Sequence, residues 1–363
     1  MRQSTHITGV GYLPPTGDLE ESRQGWGLRL LIARLVRGES LPRHEASQLL
    51  DCLLDTGATD AQVAAALIAL SIKGETVEEL VGFASAMRER AVRLRPSHEH
   101  FLDTAGIGSS SAKTFNVSTA AAFVIAGAGV PVAKHGNRAV TSRSGSSDVL
   151  SALRVGIDVA PAISEKCLNE IGICFMFAPL YHLTTARVAA VRRQLGVRTV
   201  FNLLGPLTNP AGAPCQVLGV SRIAQVEPLA QALAALGTKR AWVVHGLDGL
   251  DEITLAEKTV VAEVNEGEVK TFKLDPADFG LKRSSLEHLA CEDPEASARI
   301  IHEVLYRRRH DAARDLVIAN AAAGLFVAGL AKDLPDAAKL AAASIDSGKA
   351  AAKLVALVKA TNK

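Results

Sequence analysis

Lys134-His135-Gly136-Asn137-Arg138-Ala139-Val140-Thr141-Ser142-Arg143-Ser144-Gly145-Ser146-Ser147-Asp148 lies between an apolar, strand-like run (Val130 to Ala133) and a helical pattern (Asp148 to Arg154). Strand, loop and helix in that order make one half of a parallel α/β unit. The loop crowds cations, amides, hydroxyls and glycines together. Glycine lets a backbone approach a ligand, hydroxyls and N–H groups donate to phosphate oxygens, and the following helix offers its positive end. The composition is that of a loop that holds a phosphorylated ligand. A solvated basic turn is the plainer alternative, and Lys134, Asn137, Arg138 and Arg143 within ten residues speak against it.

Upstream the pattern is helical. From Trp26 to about Leu94 apolar residues recur at three and four, as in Leu28, Leu31, Ile32, Leu35 and in Val63, Ala66, Leu67, Leu70. Pro42, Gly57 and Gly74 punctuate these segments. Residues 1–25, with Pro14-Pro15 and Gly17, read as an irregular arm, and 26–95 as a small helical domain. After Pro96, short β-branched or glycine-bounded runs alternate with helical ones: Phe123 to Val132, Ile171 to Phe177, Gln216 to Val220, Ala241 to His245, Val260 to Val264. The expected fold class is α/β: a small all-helical domain hinged to a larger α/β domain with a mostly parallel central sheet flanked by helices. The larger domain takes 96–187 and 213–363, while 188–212 returns to the helical domain. Asp315 to Lys363, rich in alanine and lysine, reads as surface helices closing the fold.

At 363 residues the chain can bury more than one core, and an apolar fraction of 48% with 21% charged residues is that of a globular protein. A net charge of +2 gives no general affinity for polyanions. No apolar run is long enough to span a membrane, and Met1-Arg2-Gln3-Ser4-Thr5-His6 leads into no secretory h-region. Cys52, Cys167, Cys174, Cys215 and Cys291 are scattered and lack metal-knuckle spacing, so they read as reduced thiols of a cytoplasmic protein.

Three further constellations carry chemistry. Gly106-Ile107-Gly108-Ser109-Ser110-Ser111-Ala112-Lys113-Thr114-Phe115-Asn116-Val117-Ser118-Thr119 is a small-residue loop, with Asn116, Ser118 and Thr119 as caps of the apolar helix after it. That helix start favours an anion; an ordinary flexible loop with an N-cap is the alternative. Ser144, Ser146 and Asp148 open a second helix, with Gly156 near its end, so two helix starts could hold two phosphate groups. Asp248-Gly249-Leu250-Asp251-Glu252 follows a strand, where open α/β sheets bind ligands, and its carboxylates could hold Mg²⁺; a solvated turn is the alternative. Arg192 and Arg193 could grip a carboxylate with two parallel hydrogen bonds, and His182 could steer an aromatic amine, unless they are a helix-surface pair and a structural histidine.

Taken in order, these stretches resemble the anthranilate phosphoribosyltransferases, enzymes of tryptophan synthesis. The likeness runs from about Trp26 to beyond Ile318. It includes Lys73-Gly74-Glu75, the Lys-His-Gly-Asn-Arg loop, Phe175 to Pro179, Asn202-Leu-Leu-Gly-Pro-Leu-Thr-Asn-Pro210 and His245 to Glu252. The resemblance implies phosphoribosyl transfer from phosphoribosyl pyrophosphate (PRPP) to anthranilate, a homodimer contacting through the helical domain, no membrane and no nucleic acid partner. By position in the motifs, PRPP would meet Gly106, Ser109, Ser110, Thr114, Asn116, Val117, Ser118, Thr119, Lys134, His135, Gly136, Asn137, Arg138, Ala139, Val140, Thr141, Ser142 and Ser146. Anthranilate would meet Gly106, Asn137, His182, Arg192 and Pro206. Ser118, Asp251 and Glu252 would hold Mg²⁺, as two ions with PRPP, and no general acid or base is implied. The glycine loop departs from the family's usual Gly-Thr-Gly-Gly-Asp: Ile107 replaces a hydroxyl and Ser109-Ser110 replace glycine and acid. Two other readings share the fold, a non-catalytic nucleic-acid-binding paralogue and a pyrimidine nucleoside phosphorylase.

Overall fold

The computed structural model describes residues 21–108, 112, 114–138, 145–291 and 293–362. Four helices come first: α1 (Glu21–Val36), α2 (Arg43–Leu54), α3 (Asp60–Lys73) and α4 (Val77–Arg90). Reciprocal capping boxes, Thr59 with Gln62 and Thr76 with Glu79, set the starts of α3 and α4. Leu49, Leu50, Leu53, Val63, Leu67, Leu70 and Phe83 are buried in one core between these helices. Helix α1 begins at Glu21, inside the stretch expected to be irregular. Glu21 to Gly25 holds no apolar residue, so apolar periodicity has nothing there to register.

The second part alternates strands and helices: β1 (Leu102–Gly106), α5 (Val117–Ala128), β2 (Val132–Gly136), α6 (Ser146–Ala152), α7 (Pro161–Ile171), β3 (Ile173–Phe177) and the short α8 (Ala178–Tyr181). Then α9 (Ala186–Leu195) lies on α2 and α3, and α10 (Phe201–Leu207) lies on α4. The chain goes on through β4 (Cys215–Gly219), α11 (Val226–Ala235), β5 (Arg240–Gly246), β6 (Thr259–Asn265) and β7 (Glu268–Leu274). It ends in α12 (Pro294–Leu305), α13 (Ala312–Val327), α14 (Leu334–Asp346) and α15 (Lys349–Thr361).

The strands form one sheet in the order β3-β2-β1-β4-β5-β6-β7. The first five are parallel, and β6 and β7 are antiparallel additions. Side chains alternate between its faces as pleating requires. Trp242 and Val244 join α5 and the C-terminal helices in one core, while Ala241 and Val243 join α11 in the other. That second core runs without interruption into α1–α4, so the helical part and one sheet face share apolar packing. From β1 the chain winds one way to β2 and β3, and the later strands add on its other side at β4. Such a reversal opens a crevice at the carboxyl ends of the strands.

Several expectations are corrected. Phe123 to Ala128 belongs to α5 and not to a strand; only Val132 of that run is in β2. Uniform apolarity does not distinguish a buried helix from a buried strand. Strands β1 and β7 were not foreseen, because Leu102-Asp-Thr-Ala-Gly106 carries an acid and β7 is a polar, exposed edge. Asp315 to Lys363 is no surface layer throughout: α13 is almost wholly buried against α5, so closely that a Cβ on Gly324 would meet Ile125 Cδ1 at 2.5 Å. Alanine allows that approach and hides the helix from an apolar-moment reading. After α6 the left-handed residue is Arg154 (φ 66°), while Gly156 is needed because Thr361 O lies 2.4 Å from where its Cβ would stand.

Candidate active site

Three segments meet at the carboxyl ends of β1, β2 and β5. The glycine loop leaves β1 with the Ile107 N–H donating to Gly219 O (3.0 Å), and Gly108 takes φ +68°. Ile107 turns its side chain onto the core shared with the helical part. Thr114 has a buried hydroxyl without a hydrogen-bond partner among the described residues, as does Thr119 in the first turn of α5. Asn116 stands at the N-cap of α5 but makes no side-chain cap, contrary to expectation. Its N–H donates to Ser297 Oγ (2.9 Å), and its Oδ1 accepts from the same hydroxyl (3.0 Å), which ties it to α12. Val117 is buried beneath the turn.

Ser118 is where the segments join. Its N–H donates to Glu252 Oε1 (3.2 Å), and the Lys134 ammonium lies 3.5 Å from its Oγ. Lys134 is buried and also donates to the Thr104 carbonyl. Burial pulls its pKa down, against the opposing pull of Asp103 and Glu252. Glu252 is pushed up to about 8, first by burial and then by the neighbouring Asp251 charge. Asp251 Oδ2 stands 3.6 Å from where a Cβ on Gly106 would be, so the acidic doublet closes over the end of β1. The first acid of the turn has another task. Asp248 accepts the Leu250 N–H (3.2 Å) and the Thr254 hydroxyl (2.6 Å), shaping the turn that delivers the doublet.

At the end of β2, Gly136 leaves no space for a side chain, since Ser146 Oγ would be 2.3 Å from its Cβ. Asn137 and Arg138 are exposed, with the Arg138 N–H on Asn137 Oδ1 (2.8 Å) and its guanidinium 5.8 Å from the Phe177 ring. Ser109, Ser110, Ala139, Val140, Thr141 and Ser142 lie outside the described residues. His135 and His182 meet edge to face at 5.2 Å, and both are buried. Burial pushes His135 down to about 3, helped by His182, and His182 down to about 4. His135 Nδ1 is bonded to Gly205 O (3.2 Å), while both Nε2 atoms are without a partner among the described residues. Pro206 is buried inside α10. Arg192 is half-buried, donates to Asn202 Oδ1 (3.1 Å), lies 5.3 Å from the Phe201 ring and keeps a buried Nε unpartnered among the described residues. Arg193 is exposed, so only one of the two arginines turns inward.

This arrangement of acid pair, ammonium and helix start suits a phosphate ester and its cation, and the neutral imidazole pair suits an aromatic ring. The glycosyl transferase family's a/b-domain profile matches residues 98–351, and the family's helical-bundle profile matches residues 29–91. Anthranilate phosphoribosyltransferase of Anaeromyxobacter dehalogenans (strain 2CP-C) is 54% identical over 91% of this chain and 97% of its own. The crystal structure of anthranilate phosphoribosyltransferase from Thermus thermophilus is similar with a TM-score of 0.86 and 40% identity, covering 92% of this chain and 99% of that one. The chain belongs to the anthranilate phosphoribosyltransferase family. The Saccharomyces cerevisiae enzyme in complex with PRPP and Mg is also similar, with a TM-score of 0.84 and 28% identity over 94% of this chain and 99% of that one. A pentosyltransferase is thereby established, and neither the nucleic-acid-binding nor the phosphorylase reading is favoured.

Four residues of this transferase's site escaped the sequence reading. Asp103 and Gln216, both buried, face each other across β1 and β4; Asn209 reaches in from the loop after α10, and Ser297 anchors Asn116 from α12. The signal for Asp103 was available: an acid flanked by Leu102 and Thr104 in a glycine-terminated run. Among the described residues no three His, Cys, Asp or Glu side chains gather as a metal cluster.

Proposed function

We propose that the chain transfers the phosphoribosyl group of PRPP to the amine of anthranilate, giving N-(5-phosphoribosyl)anthranilate and pyrophosphate in tryptophan biosynthesis. The carrying observation is the meeting at Ser118, where the Glu252 carboxyl, the Lys134 ammonium and the start of α5 converge. In the reaction the bond from ribose C1 to the pyrophosphate oxygen breaks and a C1–N bond forms, with one amine proton released. An aromatic amine is already nucleophilic, so positioning and stabilisation of the leaving charge do the work.

In this reading the turn from Gly106 through Thr119 and the loop from Lys134 to Ser146 cradle the PRPP phosphates. Lys134 contributes a buried positive charge, and the exposed Asn137 and Arg138 stand at the rim. Arg192 takes the anthranilate carboxylate, its Nε, unpartnered among the described residues, supporting that role, and Asn137, His182 and Pro206 line the ring. Neutral imidazoles are suited to this, because neither competes with Arg192 for the carboxylate.

The residues fit a divalent cation. Asp251 raises the pKa of Glu252, and such adjacent carboxylates gain from a cation between them and the pyrophosphate. Ser118, Asp251 and Glu252 would hold Mg²⁺, which supplies charge neutralisation at the leaving group; we assign two ions with PRPP. We further infer two domains, 26–95 with 188–212 and 96–187 with 213–363, preceded by an arm. A homodimer through the helical domain is supported by exposed Leu30, Val36 and Ile72 on α1 and α3. Free Cys52, Cys167, Cys174, Cys215 and Cys291 support a cytoplasmic enzyme.

The test is optical. Anthranilate fluorescence should fall when PRPP and Mg²⁺ are added to the protein. Unchanged fluorescence together with strongly salt-dependent DNA binding would overturn the reading.

A further inference from the structure

Strands β1 and β2 are neighbours, yet among the described residues only Leu102 and Val132 hold strand register between them. By contrast β1 pairs with β4 from Leu102 to Gly106, and β2 with β3 from Val132 to Gly136. Toward the crevice, beyond Leu102, side chains bridge the two strands. One bridge is Lys134, whose ammonium bonds the Thr104 carbonyl. The other is Asp103.

The Asp103 carboxylate is wholly buried and surrounded by donors. The His135 N–H reaches Oδ1 (3.3 Å) and Gln216 Nε2 reaches Oδ2 (3.3 Å). Each donor continues to the same wall. Gln216 Nε2 also donates to Pro206 O (2.8 Å), and the His135 ring bonds Gly205 O (3.2 Å) and packs on His182. Two spokes from one carboxylate therefore fix Gly205, Pro206 and the imidazole pair. None of the Lys134 bonds to Thr104 or Ser118 runs through Asp103.

We propose that Asp103 is a positioning residue for the amine acceptor: its carboxylate locks the Gly205–Pro206 segment and His135 across β1, β2 and β4, and so sets the distance between the acceptor pocket and the phosphate cradle. The inference rests on the transferase reading above. An acceptor-only group is needed because every partner is a donor, and an asparagine of the same shape would turn an NH₂ against at least one of them. Burial raises the Asp103 pKa to about 6, while Lys134, Asn209, His135 and Gln216 nearby pull it back. The carboxylate is thus ionised at neutral pH, and its hydrogen bonds are the strong, charge-assisted kind.

Steady-state kinetics of the full chain carrying Asp103→Asn test this. The anthranilate KM should rise about tenfold or more, the value of one lost hydrogen bond to a charged acceptor. The PRPP KM should rise less than that of anthranilate, because the cradle meets Asp103 through the His135 N–H and the charge of Lys134, while the Lys134 bonds to Thr104 and Ser118 do not run through it. If that variant does not fold, Gln216→Ala removes one spoke and should give the same asymmetry at smaller size. Equal rises in both KM values, or no change in either, overturn the inference in an active background. A wild-type chain that consumes no anthranilate overturns the transferase reading with it.

Discussion

Alanine at Gly219 should cripple the turn proposed to hold magnesium without replacing any of its ligands. Gly219 ends β4, and a Cβ there would stand 1.7 Å from the Asp251 carbonyl oxygen and 2.8 Å from its carbon. Real Cβ atoms essentially never approach within 3.0 Å. The obstacle is backbone, so no rotamer relieves it. Gly219 is itself fixed, paired with Gly106 and Val244 and accepting the Ile107 N–H. The Asp251–Glu252 segment must therefore retreat by roughly 1 Å or more to regain ordinary contact. Overpacking of this kind costs about 1–3 kcal/mol. Magnesium demands near-ideal octahedral geometry, and a misplacement of about 1 Å near reacting groups can cost roughly a hundredfold in rate. Gly219→Ala should thus lower the melting transition modestly, cut kcat/KM for PRPP about a hundredfold and raise the half-saturating Mg²⁺ concentration. Calorimetry and a Mg²⁺ titration of initial rates read these out, with Gly57→Ala as control because its Cβ meets nothing within 4 Å. A Gly219→Ala enzyme with wild-type Mg²⁺ dependence refutes the reasoning.

Three other outcomes follow from the geometry. Arg192→Ala should raise the anthranilate KM by about ten- to a hundredfold and leave the PRPP KM within about twofold, the signature of a lost carboxylate clamp; equal effects on both count against it. His182 is held neutral with its pKa down at about 4 against 6.5, so its contribution to stability is intact above 6.5 and is lost as pH falls toward 4. Relative to His182→Gln, the wild type should lose about 2 kcal/mol between pH 7 and pH 5 in denaturant titrations, and a constant gap would exclude the linkage. Glu79 is wholly buried and accepts from Leu41 N–H (2.9 Å), Thr76 N–H (2.8 Å) and Lys73 Nζ (2.8 Å), so Glu79→Gln should cost about 3 kcal/mol in urea unfolding by turning an amide against these donors.

Much of the fold was legible because it is written in local pattern. The run from Val130 through Asp148 announces strand, loop and helix, and β3 to β6 fall within a residue or two of their β-branched runs. Strand β1 and the burial of helix α13 were not legible for a shared reason. Their residues are chosen for what they let approach: Leu102 Cδ2 lies 2.9 Å from where a Cβ on Gly324 would be, so small residues mark close packing there and look like loop or surface in the sequence. At the site, charged and hydroxyl residues clustered in loops could be read. Gln216 and Asn209 could not, since hydrogen bonds between strands and a distant loop have no spacing in the chain; Asp103 showed only as an acid in a glycine-terminated run. The Lys73-Gly74-Glu75 signature also gains a physical meaning only in three dimensions, where Lys73 neutralises the buried Glu79 and bonds the Gly74 carbonyl (2.7 Å).

Ile107 shows how a departure from the usual loop sequence can be absorbed. Its N–H is spent on Gly219 O, and its side chain packs on the core shared by α1–α4 and one sheet face. A β-branched apolar residue stiffens this position, and its contact with the helical side couples the loop to that core. The following turn is left to Gly108 at φ +68°, where glycine bears the left-handed conformation without strain. The chain thus divides two tasks between adjacent residues, anchoring at 107 and turning at 108. Loop position is consequently set by β4 and by the helical core rather than by a hydroxyl at 107. Gly219 is the common hinge of this arrangement, since its carbonyl holds Ile107 while its missing side chain admits Asp251. The glycine loop and the acidic turn are therefore registered against one residue.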